Sequence, residues 1–227
     1  MRLRCFAVLI CFAALAHGSY TIEPAVMRIN VNMGENTAFT DIVHTGGPPA
    51  AIELTVFERR VDLEGETVTD SLVQSKDFMI YPSEIILYPG ESARVQFAYK
   101  GRKPKSDVAY LLFSREVSLP IETGGEGVRI GVDMLMNYYT IISLETNSRG
   151  ALSFVSSREI GDGKIEVIVE NRSNGRVPID RWAIVVGKQK ITNFTGTKNS
   201  IMPGQQRRLT FEFGRPLKAK DLRFENK

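Results

Sequence analysis

Short stretches in which apolar and polar side chains alternate run through most of the sequence. The alternation has a period of two residues, as on the two faces of a β-strand, and β-branched and aromatic residues are frequent in it. No stretch has the apolar spacing of an amphipathic helix of three turns. We therefore predict strands at residues 28–31, 38–43, 51–59, 93–99, 109–117, 128–142, 152–156, 164–170, 177–186, 209–213 and 221–224.

Turns rich in Gly and Pro separate these predicted strands. Many short strands with such punctuation are typical of a β-sandwich. The strand rhythm restarts after the polar segment 146–150, and Pro-Gly turns at 89–90 and 203–204 each lead into an alternating strand. We therefore predict an all-β chain of two sandwich domains in tandem, residues 19–146 and the smaller 147–227.

The first 18 residues have the features of a secretory signal peptide. Arg2 and Arg4 form a basic start, residues 5–16 are apolar, and Ala16 and Gly18 are small residues before a cleavage site at Ser19. The apolar run is shorter than the about 20 residues that span a bilayer. We expect residues 1–18 to be a cleaved signal peptide and the rest of the chain to be exported.

The composition of the remaining residues argues against several functional classes. Both cysteines lie in residues 1–18, so the exported chain has no disulfide, thiolate metal site or cysteine nucleophile. His44 is its only histidine and its net charge is +1, which excludes a His-rich zinc site and disfavours non-specific nucleic-acid binding. Isolated carboxylates such as Asp62 and Glu64 are typical of a solvated surface. We expect no enzymatic activity, metal or other cofactor.

Two segments carry motifs in a fixed order. Residues 78–95 contain the turn Leu87-Tyr88-Pro89-Gly90, and residues 109–120 contain the strand end Arg115-Glu116-Val117-Ser118-Leu119-Pro120. In order and spacing they resemble the first domain of the periplasmic chaperones of the chaperone–usher pilus pathway. The resemblance covers residues 25–143, and the second half only by size and strand rhythm.

This resemblance implies two immunoglobulin-like domains and a role in pilus (fimbrium) assembly in the periplasm. The implied partners are pilin-like subunits and an outer-membrane usher, with no nucleic acid and no small-molecule substrate. The alternative is a secreted structural or adhesive surface protein built from the same sandwich domains.

Residues 128–136 are predicted to form a strand with one apolar face. In the family, the last strand of the first domain lends its alternating apolar residues to a subunit that lacks a strand, a form of strand addition. The alternative is that this face belongs to the core of the protein itself. The apolar side chains are Val128, Ile130, Val132, Met134 and Met136.

Arg28 resembles the first-strand arginine that, in the family, lies between the domains and binds the C-terminal carboxylate of the subunit. A planar guanidinium suits that task, because it can pair with both carboxylate oxygens. The alternative is a surface arginine on an edge strand. The second basic residue of the family is a lysine in the last strand, and Asn137 stands there.

The family also pairs an arginine of the strand after the Pro-Gly turn with the glutamate of the Arg-Glu motif across the domain interface. Glu116 is that glutamate, but Gln96 stands at the arginine position. Arg94 lies on the same strand face, so it is the candidate replacement.

Overall fold

The computed structural model describes residues 19–117, 119, 135–193, 200–213 and 218–226. The described part is nearly all strand, and its helical segments are the 3₁₀ turns Val31–Met33, Ile179–Arg181 and Ala219–Asp221. None of the helical segments in these ranges is long and apolar enough to cross a membrane. The strands are β1 (Tyr20–Glu23), β2 (Val26–Asn30), β3 (Thr37–His44), β4 (Ala50–Glu58), β5 (Phe78–Tyr81), β6 (Glu84–Leu87), β7 (Ser92–Tyr99), β8 (Val108–Val117), β9 (Asn137–Glu145), β10 (Leu152–Gly161), β11 (Lys164–Asn171), β12 (Trp182–Val186), β13 (Gln189–Ile191), β14 (Gln206–Glu212) and β15 (Leu222–Asn226).

Strands β1 to β9 form a first sandwich of two sheets. One sheet has the order β2-β9-β8-β4-β6 and the other has the order β1-β3-β7-β5. Burial alternates along β4, because every second side chain faces the other sheet. The core between the sheets includes the fully buried residues Ile29, Phe97, Leu112 and Ile142.

Strands β10 to β15 form a second sandwich with its own core. Its sheets have the orders β10-β11-β14 and β13-β12-β15. Ile165, Val167 and Val169 of β11 and Leu209 of β14 are fully buried in this core. The prediction of an all-β chain with two sandwiches is therefore confirmed.

Several strand predictions differ from the structure. Strand β10 continues to Gly161, beyond the predicted end at 156, and β1, β5, β6 and β13 were not predicted. Residues 177–186 do not form one strand, because Val177 makes only an isolated bridge to Ile201 and a 3₁₀ turn precedes β12. Pro178 lies between them, and it has no N–H to donate to a strand ladder. The predicted strand 128–142 corresponds to β9 from Asn137 onward, and residues 128–134 lie outside the described residues, as does the predicted signal peptide.

Candidate functional site

Arg28 lies on β2, at the edge of the five-stranded sheet. Its side chain points away from the core, because its neighbours Met27 and Ile29 are buried. The Nε atom of Arg28 is 3.1 Å from Oε1 of Glu145, the last residue of β9. The same Oε1 is 3.3 Å from Nε of Arg176, in the connection between β11 and β12. One carboxylate therefore joins guanidinium groups from the two sandwiches.

A cavity of about 170 Å³ lies between the sandwiches beside this pair of contacts. The side chain of Arg28 is 56% exposed and that of Arg176 is 33% exposed, so water reaches the cleft at the Arg28 side. Three arginines line the cavity, and Glu145 is the carboxylate that contacts two of them, so positive charge exceeds negative charge around the cleft. The polar residues that line the cavity are Arg28, Arg59, Ser143, Arg176 and Ser200.

Asp107, which directly precedes β8, fixes the position of Arg176. Its Oδ1 accepts hydrogen bonds from the backbone N–H and the hydroxyl of Thr146, both at 2.7 Å. Its Oδ2 accepts a hydrogen bond of 2.8 Å from the backbone N–H of Arg176. Asp107 is only 6% exposed. This buried carboxylate therefore ties the first sandwich to the segment between the cores and to the second sandwich.

The loop after β4 makes a second connection, to β14. The carbonyl of Leu63 accepts a hydrogen bond of 2.8 Å from the N–H of Arg208, and the carbonyl of Asp62 accepts one of 2.9 Å from Nη1 of Arg207. Arg207 is fully buried. Burial lowers the pKa of Arg207 and the charge of Arg59 lowers it further, while acidic side chains of the loop oppose both effects.

The start of β9 is fixed to the first sandwich at Met136. Its N–H donates a hydrogen bond of 2.9 Å to Oε2 of Glu116, and its carbonyl accepts one of 3.0 Å from the N–H of Glu116. The hydroxyl of Tyr20, which is fully buried, donates to the same carbonyl at 3.2 Å. Burial is the main cause that raises the pKa of Tyr20 to about 12. The chain that precedes β9 is thus attached at a defined point.

The predicted donor strand lies largely outside the described residues. Met136 is described; its side chain is half-buried and packs against the core of the first sandwich. The other apolar residues of the predicted strand, which the structure does not describe, are Val128, Ile130, Val132 and Met134.

Asn137 does not lie beside Arg28. On β9 it is opposite Arg115 of β8, whereas the residue of β9 that is opposite Arg28 is Ser143. Six residues of a strand span about 20 Å. The structure therefore places Asn137 and Arg28 near opposite ends of β9, and these two predicted carboxylate-binding residues do not form one site.

Glu116, Arg94 and Gln96 do not come together either. Glu116 points into the end of the first sandwich, where its carboxylate also accepts a hydrogen bond of 2.7 Å from the hydroxyl of Ser19. Arg94 and Gln96 point outward from β7, because the residues that alternate with them are buried in the core. The guanidinium of Arg94 lies 5.0 Å from the ring centre of Phe39. Strand alternation thus separates the predicted interdomain partners onto different faces.

The residues that hold the cleft together were not identified from the sequence. Asp107, Glu145 and Arg176 stand in no recognisable motif, and Arg59 is the last residue of the predicted strand 51–59 without any special spacing. Their importance arises from contacts between segments that are far apart along the chain. Within the described ranges, no group of three or more His, Cys, Asp and Glu side chains is arranged to hold a metal ion.

Comparison with known proteins adds information only at the level of structure. No family model matches the sequence, and no curated protein is significantly similar to it. A chain from the chaperone–tip adhesin complex of CFA/I fimbriae biogenesis matches with a TM-score of 0.58 and 13% identity, covering 92% of this chain and 98% of that chain.

Two further solved structures agree with this match. The class 5 fimbriae chaperone CfaA has a TM-score of 0.58 and 13% identity, covering 92% of this chain and 98% of its own. A chain from the complex of SafA pilin with the SafB chaperone of Salmonella enterica has a TM-score of 0.55 and 14% identity, covering 86% and 85%. The fold of this chain is therefore that of two-domain fimbrial chaperones.

Proposed function

We propose that this chain is a divergent periplasmic chaperone of the chaperone–usher pathway. It is exported by the signal peptide at residues 1–18, binds pilus subunits by donating a β-strand, and delivers them to an outer-membrane usher. The observation that carries this proposal is the likeness of almost the whole chain to fimbrial chaperones, one of them solved with its pilin. The role is one of binding, without catalysis.

The donor strand in this proposal is residues 128–136. A subunit that lacks one strand exposes an apolar groove and unpaired backbone groups, which promote aggregation. A donor must supply a backbone ladder and an apolar side chain at every second position. The sequence meets the second requirement from Val128 to Met136. The hydrogen bonds between Met136 and Glu116 attach the end of this segment to the sandwich.

Arg28 is the residue that binds the C-terminal carboxylate of the subunit. It is more than half exposed at the cleft, and its contact with Glu145 is made through Nε. A guanidinium has five N–H donors in a planar fork, so one ion pair does not exhaust its capacity. A carboxylate is the ligand that matches this fork in shape and charge.

Co-expression in the periplasm tests the proposed function. The chain carries an affinity tag and is produced with the pilin-like subunits encoded near its own gene. We expect a one-to-one complex, and we expect the subunit to be degraded when the chain is omitted. Recovery of none of these subunits, or equal subunit levels with and without the chain, would contradict the proposal.

A further inference from the structure

Three residues on neighbouring strands, and one that directly follows a fourth strand, form a row across the outer face of the five-stranded sheet. Arg28 of β2 is opposite Ser143 of β9, and Ser143 is opposite Ala109 of β8. The register between β8 and β4 ends with Tyr110 opposite Glu58, and Arg59 directly follows Glu58 beside this end of the pairing. All four residues of the row line the cavity between the sandwiches.

The row has an arginine at each end and small residues between them. Ser143 and Ala109 are buried under the second sandwich, with exposures of 6% and 9%, and neither fills the space above the sheet. Three strand spacings separate the two ends of the row, about 14 Å. Arg28 and Arg59 line the same cavity, so a small group bound in it would lie beside both residues.

Among the described residues Arg59 makes no ion pair, unlike the other two arginines that line the cavity. Glu145 contacts Arg28 and Arg176. The Nε atom of Arg59 is buried and has no hydrogen-bond partner among the described residues. Burial lowers the pKa of Arg59, against an opposing effect of Glu66. A buried cationic donor without a partner is costly unless an anion completes the site.

We propose that Arg59 is the second cationic residue of the carboxylate site in the cleft, and that it binds, together with Arg28, the terminal carboxylate of the captured subunit. This inference rests on the proposed function. It assigns the second charge to the end of β4, because Asn137 on β9 is uncharged and lies about 20 Å along the strand from the row. Glu145 keeps Arg28 and Arg176 in place at the mouth of the cavity.

Subunit capture by single variants tests this assignment. Arg59→Met keeps the length of the side chain but removes its charge, and it should weaken capture about 10- to 150-fold, the loss expected for a charge-assisted hydrogen bond. Arg59→Lys keeps the charge without the fork and should give a smaller loss. Arg60→Met is the matched control, because Arg60 is exposed and lies outside this cavity. Capture by Arg59→Met at the wild-type level would overturn the inference.

A change in the subunit identifies which carboxylate is bound. Two residues added to the C-terminus of the subunit displace the terminal carboxylate, so they should weaken capture by the wild type and add little to the loss in Arg59→Met. If the added residues leave capture by the wild type unchanged, an acidic side chain or another group occupies the site and the assignment to the terminal carboxylate is wrong.

Titration of the free protein with acetate separates this inference from the proposed function. In ¹H–¹⁵N spectra, acetate should shift the Nε–H signal of Arg59 and leave that of Arg60 in place, and acetamide should shift neither. If the wild type captures no subunit, the proposed function fails, and the acetate titration still decides whether Arg59 binds carboxylates. An Arg59 signal that does not respond to acetate would overturn the site.

Discussion

At the scale of single residues, Arg28 combines exposure with one ion pair. An exposed ion pair contributes about 0–1 kcal/mol to stability, so Arg28→Ala should leave the thermal unfolding curve nearly unchanged. Subunit affinity should fall about 10- to 150-fold, because a charge-assisted contact in the cleft is lost. Titration of each variant with purified subunit, combined with thermal unfolding, measures both effects.

Arg158 is the matched control for Arg28. Its side chain is 68% exposed and its Nε atom is 2.9 Å from Oε1 of Glu166, an arrangement like that of Arg28 with Glu145 but away from the cleft. Arg158→Ala should bind the subunit as the wild type does. Equal affinity losses in Arg28→Ala and Arg158→Ala would show that charge in general, and not the cleft, determines binding.

Ionisation of Tyr20 should make the free energy of unfolding fall with rising pH in the alkaline range. Its pKa is raised to about 12 by burial, whereas an unfolded tyrosine titrates near pH 10. Because the folded state holds the phenolic proton more tightly, the contribution of Tyr20 is complete below about pH 10 and is lost as pH rises through about 12. The free energy of unfolding from denaturant titrations at pH 9 and pH 12 measures this loss.

Tyr20→Phe is the comparison that isolates this group. Other buried tyrosines whose pKa is also raised, such as Tyr99, contribute equally to both proteins. The wild type should therefore lose more stability than Tyr20→Phe between the two pH values, by an amount on the order of 2 kcal/mol. The same slope in both proteins would mean that the hydroxyl of Tyr20 is not protected from ionisation.

At the scale of elements, charged substitutions in the segment 128–136 distinguish between two interpretations of it, a donor strand and a strand of the protein's own core. Burying one Ile or Val side chain contributes about 1.5–3 kcal/mol, and a charge placed in an apolar groove is costly. The double variant Ile130→Asp with Val132→Asp should therefore abolish subunit capture while the free protein stays folded. Thermal unfolding and subunit capture are measured on the same sample.

Residues on the other face of the segment provide the control. Arg129 and Asp133 alternate with the apolar residues, so Arg129→Lys and Asp133→Glu should leave capture nearly unchanged. If the double aspartate variant unfolds instead, the apolar face belongs to the core of the protein itself. If it stays folded and still captures the subunit, both interpretations of the segment are wrong.

The sequence predicted the bounds of the strands well wherever apolar and polar side chains alternated without interruption. The predicted strand 51–59 differs from β4 by one residue at each end, and the predicted strand 93–99 differs from β7 by one residue at its start. The agreement is close because the buried positions of both strands alternate without interruption. The prediction for 177–186 was wrong because it gave hydrophobicity more weight than Pro178, which lacks an N–H. The orientation of Glu116 relative to Arg94 depends on which face of each strand is inside, and that is set by pairing with distant strands.

At the scale of the whole molecule, the loop after β4 and strand β14 hold the two sandwiches together. Gly65 has a φ of +89°, and a Cβ atom there would lie 2.7 Å from Cζ of the buried Arg207. Gly65→Ala should therefore displace Arg207 from its hydrogen bond to the carbonyl of Asp62, which is 2.9 Å long. Loss of a hydrogen bond to a charged group costs about 1.5–3 kcal/mol.

Gly90→Ala is the control that separates the steric clash with Arg207 from the effect of backbone strain. Its φ is +84°, and no atom lies within 4 Å of a Cβ built there. Gly90→Ala therefore carries the same conformational strain without the steric clash. Gly65→Ala should lower the free energy of unfolding by about 1.5–3 kcal/mol more than Gly90→Ala does, as measured by denaturant titration. Equal losses would mean that the interface adapts to the larger side chain without cost.

The cleft between the sandwiches shows why the site was harder to predict than the fold. Arg28 was identified through its resemblance to a family motif. Its partner Glu145 and the row that ends at Arg59 join residues separated by tens to more than a hundred positions along the chain. Alternation within a strand carries no information about which distant strand lies beside it, so only the folded sheet reveals these neighbours.

Hydrogen exchange of residues 128–136, measured on the free protein and on its complex with a captured subunit, tests the central claim most directly. Donation of a strand places the backbone of the segment in a ladder with the subunit, so amide exchange across 128–135 should slow strongly in the complex. The N–H of Met136, which already donates to Glu116 in the free protein, and that of Asn171 in the second sandwich should be unaffected. Identical exchange of 128–136 in the free protein and in an intact complex would contradict the account.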